Sequence, residues 1–233
     1  EQQLKGQVRY LLNCRDRICR TSLKVFVTGD LNAGKLSFCN KLLRRSLLPE
    51  DQQPCTQVFC EVVDARKDNQ GIEEVHAVYL NKEYHLKDEL LYKIFPLKAL
   101  HTLVNESDKY SMLKVYVLDE RKHGELLLAN GVVDVKLIDA PGLNMDLYQT
   151  TQVFLRQEEI DLVVFVVNAE NHFTLSGKEF IATAAAEKRY VFIVVNKFDN
   201  IKDKEKCQNK ILDQVKDLSP DTHKSAGEFV HFV

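Results

Sequence analysis

Gly29-Asp30-Leu31-Asn32-Ala33-Gly34-Lys35 follows the apolar run 23–27 with only Thr28 between. A strand, a glycine loop and a lysine opening the next helix make the pattern of a phosphate-binding loop. The glycines let backbone N–H groups crowd a pyrophosphate, and Lys35 is placed to reach the terminal phosphates. The residue after such a lysine commonly carries a hydroxyl that binds Mg²⁺. Here that residue is Leu36, with Ser37 one place later. A leucine supplies no oxygen. Ser37 sits about 100° further round a helix and substitutes poorly as a metal ligand. The loop alone is a weak signal, because a glycine turn before an ordinary helix reads the same way.

Three further groups follow in order. Asp139-Ala140-Pro141-Gly142 comes after the apolar strand 133–138. An Asp at the end of such a strand meets the Mg²⁺ shell of phosphate-loop hydrolases, and the Gly can offer its N–H to a γ-phosphate. A plain Pro-Gly turn is the alternative. Asn196-Lys197-Phe198-Asp199 follows the run 191–195. A carboxylate only accepts hydrogen bonds, so Asp199 suits a base edge with two donors, which guanine offers and adenine does not. Lys197 can lie along the base, and Asn196 can tie this loop back to the phosphate loop. Thr56, in Pro54-Cys55-Thr56, lies 21 residues beyond Lys35. Its hydroxyl can ligate Mg²⁺ when a γ-phosphate is bound and release on hydrolysis. The metal candidates are thus Thr56, Asp139 and Ser37.

These residues need a frame. Strands are expected at 23–28, 57–63, 132–138, 162–167, 191–195 and 229–233, several apolar on both faces and so buried between helix layers. Helices are expected at 35–46, 174–188 and 203–218. The alternation predicts an α/β fold with a doubly wound, mostly parallel sheet. Residues 64–131 interrupt it with a polar loop at 64–74, a strand at 75–80, a helix at 96–104 and a strand at 113–118, read as an insertion on the same sheet. Residues 1–21 carry Leu4, Val8, Leu11, Leu12 and Ile18 at helical spacing. They predict one N-terminal helix whose stripe buries against an adjoining helical bundle.

The 233 residues, 45% hydrophobic, suffice for one large domain with a full core, or for one domain plus an appendage. A net charge of −2 gives no footing for nucleic acid. No apolar run approaches the length of a membrane span, so the segment itself is expected to be soluble. The six cysteines form no C-x-x-C pair, which reads as free thiols in a reducing compartment.

The four motifs in this order resemble the GTPase fold. The long gap from Lys35 to Asp139, the surroundings of Thr56 and the leading helix resemble the dynamin superfamily, and within it the mitofusin family in its fungal fuzzy-onions type. The resemblance runs from Leu23 to Val233. It implies a dynamin-type GTPase domain over 22–233, binding GTP and GDP with Mg²⁺. It implies a cytosol-facing position at the mitochondrial outer membrane, on a protein whose helical bundle and membrane anchor lie elsewhere. It also implies a nucleotide-dependent homodimer through the GTPase face. By resemblance, Gly29 to Ser37, Asp139, Gly142, Asn196, Lys197 and Asp199 bind the nucleotide, and Lys35, Thr56 and Asn32 serve catalysis. Leu31 stands where many dynamins have a water-orienting glutamine, and Asn32 is the nearest polar side chain. The chain ends where a fifth guanine-contact loop would follow, so the domain is read as incomplete there.

Two functions stay open: a GTP-hydrolysing fusion domain, and a guanine-nucleotide-binding module that scarcely hydrolyses because of Leu36. An ATPase is a third, opposed by Asp199.

Overall fold

The computed structural model describes residues 22–50, 57–122, 125–141, 151, 160–188 and 191–233. The helix expected at 1–21, Thr56 and Gly142 lie outside the described residues.

Among the described residues, nine strands form one sheet: β1 (Ser22–Gly29), β2 (Phe59–Asp64), β3 (Glu74–Tyr79), β4 (Tyr92–Pro96), β5 (Tyr110–Val117), β6 (Asp134–Asp139), β7 (Leu162–Asn168), β8 (Val191–Asn196) and β9 (Val230–Phe232). Their order is β4-β3-β5-β2-β6-β1-β7-β8-β9. The run β6-β1-β7-β8-β9 is parallel throughout. β2 lies antiparallel to β6, and the inserted β5 pairs parallel with β2. β3 and β4 close that side as antiparallel neighbours. The sheet is α/β and mostly parallel, as the strand–helix alternation predicts, and the insertion extends it beyond β2.

The α-helices of the described residues are α1 (Lys35–Leu43), α2 (Ala65–Asp68), α3 (Leu100–Leu103), α4 (Leu175–Glu187), α5 (Lys204–Leu218), α6 (Pro220–Lys224) and α7 (Ala226–Phe229). Strand alternation divides the core in two. Val25 and Val27 of β1 face a cluster that includes Cys39 and Leu43 of α1 and Leu100 and Leu103 of α3. Phe26 faces the other way, into a cluster with Phe180, Ile181 and Ala184 of α4 and Ile211 and Val215 of α5. Both faces of the parallel strands are therefore dry, which is why they read as unbroken apolar runs.

Three local readings need correction. α1 stops at Leu43 instead of running to 46, because Arg44 adopts a left-handed conformation (φ 51°) and caps the helix through Asn40 and Lys41 carbonyls. Asn40 then takes the Leu47 and Leu48 amides on its side-chain oxygen, at 3.1 and 2.9 Å, turning the chain back. The loop expected at 64–74 contains α2, whose first turn is capped by Asp64 accepting from the Arg66 amide at 2.8 Å. β4 goes unanticipated: Pro96, expected to open the helix at 96–104, ends this edge strand, where proline is tolerated.

Among the described residues, Cys39, Cys60 and Cys207 are free and buried. No described helix is long and apolar enough to cross a membrane.

Candidate functional site

β1, β6, β7 and β8 run parallel, so Gly29, Asp139, Asn168 and Asn196 all emerge at the same end of the sheet. Ligands of open α/β sheets bind outside the carboxyl ends of the strands.

The glycine loop leaves β1 along a path with no room for a side chain at Gly29 or Gly34. A Cβ on Gly29 would stand 2.3 Å from the Val166 carbonyl oxygen. Gly34 has φ +80°, and a Cβ there would stand 2.3 Å from Asn196 Nδ2. Asn32 is also left-handed (φ 59°). Leu31 and Asn32 are exposed at the loop tip, and Ala33 is buried. α1 starts at Lys35, so its first free N–H groups face the loop's concavity.

Lys35 is buried and its ammonium donates to Asp139 Oδ1 and to the Ala140 carbonyl. Asp139 is wholly buried, and its second oxygen, Oδ2, has no hydrogen-bond partner. Burial pushes the Asp139 carboxyl above the usual carboxylate range, and the Lys35 ammonium pulls against that shift. A buried acceptor left free is costly unless a donor or cation meets it. The free Asp139 Oδ2 thus fits a divalent cation, and among the described residues position 36 adds no side-chain oxygen to it.

Leu36 is half-buried, and its side chain packs on the first core cluster. The Ser37 hydroxyl donates to Glu50, which also accepts from Asn40 Nδ2 at 2.7 Å. These bonds hold the Glu50 carboxyl below its usual range, Asn40 first and Ser37 second. Ser37 is therefore not gathered with Lys35 and Asp139.

The second loop is joined to the first. Asn196 Nδ2 donates to the Ala33 carbonyl at 2.9 Å, and Asn196 Oδ1 accepts from the Lys197 amide at 3.0 Å. Lys197 is left-handed (φ 60°), which swings the chain into a 3₁₀ turn over Phe198–Asn200. Phe198 is buried against Phe232 of β9, with ring centroids 4.8 Å apart, and its amide donates to the Val233 carbonyl at 2.9 Å. Asp199 is exposed on that turn. The structure thus brings Gly29, Gly34, Lys35, Asp139 and Asn196 together at one corner, with Lys197 and Asp199 beside them.

Asp30 behaves differently from a ligand-facing residue. Its side chain is buried and accepts from the Thr174 amide at 3.1 Å and from the Thr174 hydroxyl. Thr174 and Gly177 of α4 go unanticipated in the sequence. The available signal was an isolated glycine inside an otherwise regular helix pattern.

Comparison with known proteins places the chain in a family and a fold. The model of the dynamin family matches residues 25–199. The chain is 52% identical over 241 residues to mitofusin FZO1 of Saccharomyces cerevisiae, covering 99% of this chain and 28% of that protein. It is 26% identical over 230 residues to the transmembrane GTPase Marf of Drosophila melanogaster, covering 94% of this chain and 26% of that protein. The chain therefore spans little more than a quarter of these curated relatives. A solved structure of an oligomerised bacterial dynamin pair superposes with a TM-score of 0.65 at 19% identity, over 95% of this chain and 35% of that one, and so shares its fold.

Proposed function

Because the chain belongs to the dynamin family, we propose that it is a GTPase domain that binds GTP and GDP with Mg²⁺ and hydrolyses GTP within a mitofusin-like membrane-fusion protein. The observation that carries this reading is the convergence of Lys35, Asp139 and Asn196 at the carboxyl end of the sheet, with Gly29 and Gly34 letting the loop pack directly on the Val166 carbonyl and the Asn196 amide.

In this reading the loop amides from Gly29 to Lys35 and the first turn of α1 cradle the phosphates. Lys35 exchanges part of its contact with Asp139 for the terminal phosphates. Asp139 and Thr56 would hold the Mg²⁺. That ion, when bound, supplies charge neutralisation across the β- and γ-phosphates. Thr56 and Gly142 report the γ-phosphate. Asp199 selects guanine, Lys197 flanks the base, and Asn196 keeps the base loop at a fixed distance from the phosphate loop. Asn32, at the exposed loop tip, is the nearest polar side chain for a water. Catalysis is positioning and electrostatic stabilisation more than covalent chemistry.

The parent protein would sit in the mitochondrial outer membrane with this domain facing the cytosol, carried by a helical bundle that includes residues 1–21. Two copies would pair through the GTPase face when nucleotide is bound. Turnover per molecule should then rise with protein concentration. A flat dependence would remove the pairing from this account.

A second reading is favoured by one observation. Leu36 is committed to the core and Ser37 to Glu50, so neither offers an oxygen to a cation. The domain would then bind guanine nucleotide and hydrolyse it little. Release of phosphate under saturating Mg²⁺ and GTP separates the two.

A further inference from the structure

Asp30 lies inside the phosphate-binding loop, yet both of its carboxylate oxygens are engaged by the first turn of a helix 144 residues further along the chain. Oδ2 accepts from the Thr174 amide at 3.1 Å, and Oδ1 accepts from the Thr174 hydroxyl. The same hydroxyl oxygen accepts from the Gly177 amide at 3.0 Å and so caps α4. Gly177 leaves the space the carboxylate fills: a Cβ there would stand 2.5 Å from Asp30 Oδ1 and 2.9 Å from Phe165 Cζ. The backbone makes one further link, from the Asp30 amide to the Val166 carbonyl at 3.2 Å. Asn196 holds the other shoulder of the loop at Ala33. The loop is thus pinned at two points, with the exposed Leu31 and Asn32 between them.

We infer that Thr174 is a positioning residue for the phosphate-binding loop, acting through Asp30, and that Gly177 makes room for that contact. The acidic side chain would otherwise stand near bound phosphates of the same sign. Held by Thr174, it fixes the loop path, left-handed at Asn32 and Gly34, which aims the loop amides before nucleotide arrives. Burial pushes the Asp30 carboxyl above its usual range and the Thr174 bonds oppose this, so removing them leaves a buried acceptor unsatisfied. The inference rests on the guanine-nucleotide reading.

The test uses the wild-type chain and the variants Thr174→Val, Thr174→Ser, Gly177→Ala and Asp30→Ala. GDP affinity and dissociation rate are measured at a temperature below every variant's thermal midpoint. A hydrogen bond to a charged group is worth roughly tenfold or more in an equilibrium. Thr174→Val should weaken GDP binding by about that factor and speed its release, while Thr174→Ser restores it. Gly177→Ala, which keeps the hydroxyl and favours the helix, should weaken binding through displacement of the carboxylate. Asp30→Ala should weaken binding, and adding Thr174→Val to it should cost nothing more, since coupled residues are non-additive. A Thr174→Val chain that melts earlier yet binds GDP like wild type overturns the positioning role alone. A wild-type chain that binds no GDP overturns the nucleotide reading and this inference with it.

Discussion

Replacing Leu36 with serine should move stability and activity in opposite directions. The leucine side chain packs on the first core cluster and is half-buried. Burying a whole leucine is worth about 1.5–3 kcal/mol, and serine keeps little of that. Partial exposure puts the loss at about 1.5 kcal/mol, which for a domain of this size lowers the thermal midpoint by roughly 3–6 °C. The serine restores the hydroxyl that the residue after a phosphate-loop lysine commonly carries for Mg²⁺. One such ligand should tighten Mg²⁺-dependent GTP binding by about tenfold or more and raise turnover by at least as much. Leu36→Ala is the control, since it loses similar packing and gains no oxygen. The assay is thermal melting without nucleotide, followed by phosphate release across a Mg²⁺ titration. If Leu36→Ser melts earlier but hydrolyses no faster than Leu36→Ala, position 36 does not limit turnover. If the serine variant melts like wild type, the packing argument is wrong.

Lys35→Ala should reduce guanine-nucleotide binding by at least about a hundredfold in equilibrium binding, because it removes the cation at the phosphates. It also strips buried Asp139 of its ion pair, which costs about 3 kcal/mol in chemical denaturation. Asp199→Ala should leave phosphate contacts intact and bring GDP, ADP and IDP to similar affinities in competition; unchanged preference would mean the base contacts lie elsewhere. Acid should expose a site remote from the nucleotide. Burial raises the Asp119 carboxyl, but Arg121 at 2.6 and 2.7 Å and the Leu127 amide at 2.8 Å outweigh it and hold the group at about 2, below its ordinary 3.8. A depressed folded-state pKa means stability that is present above the ordinary value and lost as pH falls towards the folded one. About 2 kcal/mol should disappear between about pH 4 and pH 2. Asp119→Asn should flatten that part of the urea-midpoint profile, and an unchanged acid limb would show that Asp119 does not carry it.

The parts of this molecule written in local pattern were legible. Strands buried on both faces need continuous apolar runs, so β1, β7 and β8 announce themselves. The glycine loop and the turn after β8 are set by short-range backbone geometry, which Gly34 and the residues around Asn196 carry in their types. What escaped is set at long range. Nothing in Asp30 or Thr174 taken alone reveals that they meet across 144 positions. Ser37 looks available until the chain reversal governed by Asn40 brings Glu50 onto it. The antiparallel setting of β2 against β6, and the parallel pairing of the inserted β5 with β2, depend on pairing order, which hydropathy does not encode. β4 pairs only with β3 at the sheet edge, and its exposed Lys93 and Ile94 depart from the buried apolar pattern that marks the central strands.

Whether this chain holds a guanine-nucleotide site is decided by equilibrium binding of a fluorescent GTP analogue, with and without Mg²⁺, competed by GDP, GTP and ATP. The account predicts binding that GDP and GTP displace and ATP does not, strengthened by Mg²⁺ less than a full ligand set would give. Displacement by ATP at the same concentrations as GTP, or no binding at all, would contradict it.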